Sequence, residues 1–369
     1  MFLALKEIKK EKSRFVMIVI VTALIAFLVY FLTGLAYGLA SANTTSVEHW
    51  KADGIILSKA SNQNIYASTI EEDVVKSLDL KSSESLNVAS TVVSVNENKD
   101  QFDLVLMGIE EKGKLVLPKL IEGRHIKGSQ EIVLSETFKK DFDIKIGDKI
   151  KVISTGRTFD VVGFTKKSEY NTQTVGYVAL EMASQEMMMY KTGDEKTDAM
   201  ATPTVNMPNR ISAIITNEKV DNKLLKKNNL TYLSKKEFIN TIPGYQAQLL
   251  TFGLMIISLI IISAVIISIF MYILTMQKKS IFAILKIQGI SDSYISKSVI
   301  YQTVIVSLLG TIIGIGLTLL TFNFLPNQVP VQMNWPITGI VSLLFLICPL
   351  LGSLFSARSI LKIDPLDAL

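Results

Sequence analysis

The chain has one cysteine, Cys348, and two histidines, His49 and His125. An internal disulfide needs two thiols, so any folded part outside a membrane must rest on its own core. The histidines are too few and too far apart for a two-histidine metal site, and no H-E-x-x-H helix occurs. No G-x-x-x-x-G-K-[ST] phosphate loop is present either, so the chain is not its own P-loop ATPase. No nucleophile elbow or paired-carboxylate site stands out. No catalytic residue, intrinsic cofactor or metal site is assigned, no enzymatic activity is expected, and no nucleic-acid partner is expected. Charge is scarce too: Asp, Glu, Lys and Arg make up 19% of residues, against an ordinary share of about 25%. Apolar residues reach 49%, with a mean hydropathy of +0.37. This is the composition of a membrane protein.

Charge vanishes from three stretches: Phe15–Val47, Phe238–Gln277 and Ser298–Ala357. Each exceeds the roughly 20 residues needed to cross a bilayer. The last is long enough for two crossings and is interrupted by Pro326, Pro330 and Pro336. The fold class expected is an integral membrane α-helical protein with four transmembrane helices, carrying an extracytoplasmic α+β domain between helices one and two. The expected order is a cytoplasmic amphipathic helix at 1–14 and helix one at 15–40. The α+β domain with its stalk follows at 41–247, then helix two at 248–276. A loop at 277–297 leads to helix three at 298–325. Helix four is expected at 337–357 and a tail at 358–369. Basic residues outnumber acidic ones in 1–14 and in 277–297, the tail carries Arg358 and Lys362 against Asp364 and Asp367, and the region between helices one and two is balanced. By the positive-inside rule, both termini and the 277–297 loop face the cytoplasm, and the large domain faces outward from the cell membrane. The basic start, apolar run and Ala40-Ser41-Ala42 resemble a signal peptide. The apolar stretch exceeds the 7–15 residues usual for one, which favours an uncleaved anchor.

Along the chain, Phe2, Leu3, Leu5 and Ile8 share one face of a helix suited to the inner leaflet. Gly34 and Gly38 make a small-xxx-small face, open to helix packing or to a flat ligand. Trp50 reads as an interfacial anchor. Thr69–Glu72 and Ser234–Glu237 read as capping boxes, the second opening a helix that continues past Pro243-Gly244 into span two. Strands are expected at Leu86–Val95, Phe102–Ile109, Glu131–Leu134, Asp148–Ser154, Phe159–Thr165, Val175–Leu180 and Ile211–Thr216, and a helix at Ser135–Phe142. Six methionines between Glu181 and Met207 suit a loose insertion with a partly buried helix. In the 277–297 loop, Ile281–Ile287 is an amphipathic helix stopped by Gly289. Its apolar face needs a partner, either the membrane interface or a cytoplasmic protein.

These pieces resemble the MacB/FtsX-type permeases of ABC transporters, the type VII exporters. Lys278-Lys279-Ser280-Ile281-Phe282-Ala283-Ile284-Leu285-Lys286-Ile287-Gln288-Gly289 is similar to that family's R-x-x-E-I-G-I-L-K-A-I-G loop, but lacks its acidic residue. Ile363-Asp364-Pro365-Leu366-Asp367-Ala368-Leu369 matches its I-D-P-[IVL]-[ED]-A-L ending. Ile146-Gly147-Asp148 and Glu122-Gly123-Arg124 resemble parts of its outer domain. Leu3–Ile8, the Gly34–Ala40 stretch with Asn43, Glu48 and His49, and Tyr245-Gln246-Ala247 resemble the HrtB-type haem-efflux permeases of Gram-positive bacteria.

The resemblance implies a homodimer in the lipid bilayer with two copies of a separate cytoplasmic ATPase, which binds ATP and Mg. Ile281, Phe282, Ala283, Ile284, Leu285 and Lys286 would couple to that ATPase. Haem would be the transported substrate. Gly34 and Gly38 would give close approach, and Phe31, Leu35, Phe252 and Met255 would supply an apolar wall where spans one and two of paired subunits face each other. Glu48, His49, Tyr245 and Met255 offer iron-ligand types, and Tyr245 or Gln246 could instead hold a propionate. Packing glycines, a belt tyrosine and a surface histidine account for the same residues without a ligand. Export of a lipid, lipoprotein or antimicrobial peptide remains an alternative. So does a mechanical role controlling an extracellular cell-wall hydrolase. Protease added outside intact cells is expected to cut within 180–200 and spare 277–297; the reverse pattern inverts the topology.

Overall fold

The computed structural model describes residues 2–96, 100–192, 210–326 and 329–361. Most of the expected Met-rich insertion and the matched C-terminal ending lie outside the described residues. The chain divides into two compact units: Met1–Gly38 with Gln248–Leu369, and Leu39–Ala247. In order, the elements begin with α1 (Phe2–Lys10) and α2 (Lys12–Glu48). Then follow β1 (Gly54–Ser58), β2 (Ile70–Glu71), α3 (Glu72–Ser77), β3 (Ser83–Val95), β4 (Gln101–Ile109), β5 (Leu120–Gly123) and β6 (Glu131–Ser135). Next come α4 (Glu136–Phe142), β7 (Lys149–Val152), β8 (Thr158–Thr165), β9 (Glu169–Tyr170), β10 (Gln173–Ala179) and α5 (Leu180–Thr192). The inserted unit closes with β11 (Arg210–Ile211), β12 (Ala213–Thr216), α6 (Asn222–Lys227), β13 (Leu230–Ser234) and α7 (Lys235–Thr241). Last are α8 (Tyr245–Gln277), α9 (Lys279–Ile287), α10 (Asp292–Phe324) and α11 (Trp335–Leu361).

Helices α2, α8, α10 and the stretch Trp335–Leu354 of α11 are long and apolar enough to cross a membrane. They are held together where small residues let backbones approach. A side chain at Gly314 would collide with Ala26 and Phe27 of α2, and one at Gly310 with Thr22. Gly352 of α11 meets Ser268 of α8 in the same way. Tyr30 and Ser342 share a hydrogen bond of 2.7 Å between α2 and α11. Around these contacts lie two apolar clusters. One gathers Phe15, Ile18, Ile267, Met271, Phe282 and Val299. The other gathers Ala26, Val29, Tyr30, Ile260 and Phe345.

Several boundaries differ from expectation. Helix α2 continues to Glu48, because Ser41–Ser46 pack as one more set of helical turns with most of their side chains buried. The 277–297 stretch is not a loop: it holds α9 and the first turns of α10, which begins at Asp292. Pro336 does not break span four; it sits in the first turn of α11, where a missing N–H leaves no bond unmade. Helix α1 does not present its apolar face to lipid alone. Ala4 is fully buried, and Ile8 packs against the cluster around Phe15 and Phe282.

In the inserted unit, eleven strands form one sheet, nine of them in the order β13-β1-β12-β3-β4-β10-β6-β8-β5, with β9 paired to β10 off this path. Strand β7 pairs with both β3 and β8, so the path β3-β4-β10-β6-β8-β7 closes on itself. β4 with β10 and β6 with β8 run parallel; the other pairs of this ring are antiparallel. Side chains alternate across a strand. Val93, Leu104, Leu106, Ile132, Leu134, Ile150, Val152, Phe159 and Val161 therefore fill one cluster. Val88, Val105, Met107, Val133, Val175 and Tyr177 face the other way into a second, with Trp50, Tyr170 and Phe238. This two-sided burial explains why β4 is buried continuously from Leu104 to Ile109.

The second expected capping box forms, with Ser234 and Glu237 bonding reciprocally. Its helix does not run into span two: α7 stops before Pro243, Gly244 takes φ +80°, and α8 starts afresh at Tyr245. The first expected box does not form. Ile70–Glu71 pairs with β11, and α3 begins after it with no side-chain cap. At the contact between α10 and α2, Gly314→Leu is expected to cost about 1–3 kcal/mol by overpacking. That should appear as a lower thermal midpoint in detergent; an unchanged midpoint would show that the two helices do not meet at this spacing.

Candidate functional site

Helix α9 has the sequence KSIFAILKI. Gly289, at φ +84°, ends it. The Gly289 N–H donates to the Lys286 carbonyl at 2.9 Å, and the Ile290 N–H donates to that of Leu285 at 3.0 Å. This is the Schellman arrangement, completed by Ile290 and Leu285 packing on the same apolar cluster. The helical period divides the segment into two faces. Ile281 and Ile284 are each 47% exposed and Ile287 is 56% exposed. Phe282 is 1% exposed and Ala283 fully buried, packed in the cluster with Phe15, Ile18 and Met271. Leu285 is half-buried in that cluster, and the Lys286 ammonium lies 3.0 Å from Asp292.

The six-residue coupling set therefore splits. Ile281 and Ile284 are on the exposed face, joined by Ile287 at the end of the same amphipathic segment. Phe282 and Ala283 point into the chain's own membrane unit, because residues three and four apart share a helical face while immediate neighbours do not. A docking contact through Phe282 itself is thereby corrected. Sequence reasoning also missed what α9 sits on: Glu7, Lys278, Ser298 and Gln302 form a polar cluster beneath its start. The only sequence signal was charge close to both ends of long apolar runs.

The ten haem-facing candidates fall into two sets. In the membrane unit, the Phe31 ring lies 5.8 Å from Phe27 and 6.1 Å from Phe322. A side chain at Gly34 would strike the Phe322 ring, and one at Gly38 the Pro330 backbone. The Gly34 carbonyl accepts the Gln332 N–H at 3.1 Å. Both glycines are thus occupied by packing within the chain, at the end of α10 and its connection to α11. Leu35 and Phe252 are half-buried, and Met255 is exposed on α8.

In the inserted unit, Glu48 is exposed and accepts the Thr44 hydroxyl at 2.6 Å. His49 is half-buried, and its Nδ1 has no hydrogen-bond partner. Burial, aided by Lys166 and opposed by Glu48, lowers its pKa below the ordinary histidine value. The imidazole therefore stays neutral near pH 7, the form that can ligate a metal. Tyr245 packs partly against the apolar core, and Gln246 is exposed. Trp50 is not an interfacial anchor: it is buried and stacked on Phe238 at 5.8 Å, and Phe238 in turn stacks on Tyr170 at 6.4 Å. Among the described residues, no group of three or more His, Cys, Asp or Glu is placed to hold a metal ion.

The two faces of α9 give a clean test. Ile284→Glu places a charge on the exposed face and is expected to cut co-purification of the ATPase at least tenfold with permease levels unchanged. Phe282→Ala removes a buried ring, at a cost of about 3–5 kcal/mol, and is expected to lower the amount of folded permease itself. Equal behaviour of the two variants would contradict the assignment of faces.

Comparison with known proteins agrees with this architecture. Residues 15–214 match the MacB-like periplasmic core domain, and residues 253–365 match the FtsX-like permease C-terminal domain. The chain is 26% identical over 373 residues to a protein of Staphylococcus haemolyticus that carries the provisional name hemin transport system permease protein HrtB. That similarity covers 100% of this chain and 99% of the relative. A protein of the same name from Staphylococcus epidermidis is 28% identical over the same extent. Among solved structures, the extracellular domain of the noncanonic ABC-type transporter YknZ from Gram-positive bacteria aligns with 48% of this chain and 88% of its own. Its identity is 16% and its TM-score 0.30. With its four membrane helices and the α+β domain set between the first two, the chain belongs to the family of MacB-like and FtsX-like permeases, the membrane components of ABC transporters.

Proposed function

We propose that this permease exports haem from the membrane for detoxification, as a homodimer served by two copies of a cytoplasmic ATPase. The observation that carries the substrate is the end-to-end similarity to two permeases named for hemin transport. Both termini and α9 lie on the cytoplasmic side in this reading, consistent with the basic residues of 1–14 and 277–297. The exposed Ile281, Ile284 and Ile287 enter a groove on the ATPase. ATP binding closes the ATPase pair, and α9 carries that motion to α8 and α10.

Haem is flat, apolar and membrane-partitioning, so lateral entry from the bilayer suits it. Phe31, Leu35, Phe252 and Met255 supply apolar and thioether surface. Gly34 and Gly38 serve by holding α2 close to the α10–α11 connection instead of giving haem a close approach. Among the ligand types, Glu48, His49, Tyr245 and Met255 are the candidate donors, and Tyr245 or Gln246 would instead hold a propionate.

Two experiments test the proposal. A strain lacking the gene is expected to become sensitive to haemin; normal haemin tolerance with altered cell separation would favour the mechanical alternative. Purified protein with haemin is expected to show a Soret band that shifts in at least one of Glu48→Ala, His49→Ala, Tyr245→Ala and Met255→Ala. Wild-type spectra and affinity in all four would remove these residues from the site.

A further inference from the structure

Helix α1 ends at Lys10 and α2 begins at Lys12, with Glu11 as a turn between them. Around this junction the consecutive residues Lys9 to Arg14 line a surface cavity of about 470 Å³. Lys9, Lys10, Lys12 and Arg14 bring four cations to it and Glu11 the single carboxylate. That carboxylate is already engaged: it lies 3.7 Å from the Lys278 ammonium and 3.4 Å from the Arg14 guanidinium. Arg14 uses Nη1 for Glu11 and, at 2.6 Å, for Gln277 at the end of α8; its Nη2 bonds to no described residue. Lys9, Lys10 and Lys12 are exposed and form no ion pair with any described residue.

Three unpaired lysines so close together repel one another, and an anion between them relieves that repulsion. The surface next to the cavity narrows the choice of anion. Val16, Met17 and Ile20 of α2 are 54%, 53% and 53% exposed. With 3.6 residues per turn, Lys12, Val16 and Ile20 form one row along the helix, and Ser13 and Met17 lie beside it. Leu5 of α1, one turn before Lys9, is 48% exposed as well. The cations therefore stand at the end of an apolar row on a helix long enough to cross the membrane. A phosphate carried on acyl chains matches both parts, its anion the lysines and a chain the row. A soluble phosphate would use the cavity alone. An acidic protein surface would leave the apolar row uncovered.

We propose that the α1–α2 junction binds the phosphate of one anionic phospholipid. Lys9, Lys10 and Lys12 compensate its charge, Arg14 Nη2 donates to a phosphate oxygen, and an acyl chain lies along Val16, Met17 and Ile20. Charge-assisted bonds of this kind are the strong ones, and they separate an anionic lipid from a zwitterionic one whose own ammonium would meet the lysines. Through Glu11, Arg14, Gln277 and Lys278 the junction is tied to the end of α8, so a bound lipid stabilises the contact between these helices. The site uses none of the exposed isoleucines of α9 and none of the haem candidates, and it is independent of the transported substrate.

The test uses the full chain in detergent micelles doped with phosphatidylglycerol or with phosphatidylcholine, and reads lipid affinity by native mass spectrometry beside the thermal midpoint. The parent is expected to bind phosphatidylglycerol about tenfold more tightly than phosphatidylcholine, and its midpoint to rise with phosphatidylglycerol alone. Lys9→Gln/Lys10→Gln/Lys12→Gln is expected to bring the two affinities within about twofold of each other. Lys223→Gln/Lys226→Gln/Lys227→Gln removes the same charge from exposed positions of α6 and is expected to keep the parent's preference. Equal affinities in the parent overturn the site. So does a preference that survives in the junction variant, or one that falls equally in both variants, which is diffuse attraction to a cationic protein. Inorganic phosphate that displaces phosphatidylglycerol at matched concentration assigns the cavity to a free anion and overturns the lipid. Loss of ATPase co-purification in the junction variant with lipid preference intact assigns the lysines to that partner and overturns it too. Should the junction variant reduce the folded permease, Lys12→Gln alone is read against the same outcomes, with Lys9→Arg/Lys10→Arg/Lys12→Arg expected to keep the preference.

Discussion

Hydrocarbon offers no hydrogen-bond partner, and that constraint shapes the polar groups along the membrane helices. Backbone groups are satisfied inside helices. Five buried threonine hydroxyls follow the same rule, whereas those of Ser263 and Ser307 have no partner among the described residues. Thr22, Thr33, Thr275, Thr303 and Thr318 each donate to the carbonyl four residues earlier in their own helix, at 2.7–3.1 Å. Threonine can therefore lie at a helix contact without demanding anything of its neighbour. Next to these hydroxyls, Gly310 and Gly314 let α10 come against α2, where dispersion between close-packed atoms supplies the attraction that water cannot supply in a bilayer. The glycines at positions 34 and 38 extend this packing to the end of α10.

The inserted unit faces the opposite problem. It has water around it and no disulfide, so its stability depends on apolar burial. Closing the six-stranded ring buries both faces of its central strands. One buried carboxylate inside it is bonded to backbone: Glu84 accepts from the N–H groups of Lys114, Leu115 and Val116, the latter two at 2.7 and 3.2 Å, and so fixes the stretch leading out of β4.

Carboxylates show how much position matters. Glu131, paired through both oxygens with the exposed Arg124 at 2.5 and 2.7 Å, is held down at about 2. Solvent screens that pair, and it contributes little to stability. Glu7, buried on α10, is driven the other way. One arrangement is surface decoration in an open environment. The other places charge where any movement of α9 must take account of it.

The sequence by itself determined the number of membrane helices, the place of the inserted domain and the amphipathic segment stopped by Gly289. These depend on local quantities: runs without charge, a 3.6-residue period and a glycine able to take positive φ. It also located most strands, since alternation and β-branched residues mark them. Tertiary structure decided which side of each element is used. Phe282 and Ile284 are both apolar and two residues apart; only the presence of Phe15 and Met271 buries the first and frees the second. Trp50 has the composition of a membrane-interface residue, but Phe238, far along the chain, provides a ring for it to stack on. Glu7 and Lys278 are unremarkable charges in sequence. They become a buried cluster because α1 folds back onto α10, and contacts between residues so distant in the chain leave no periodic trace in either segment.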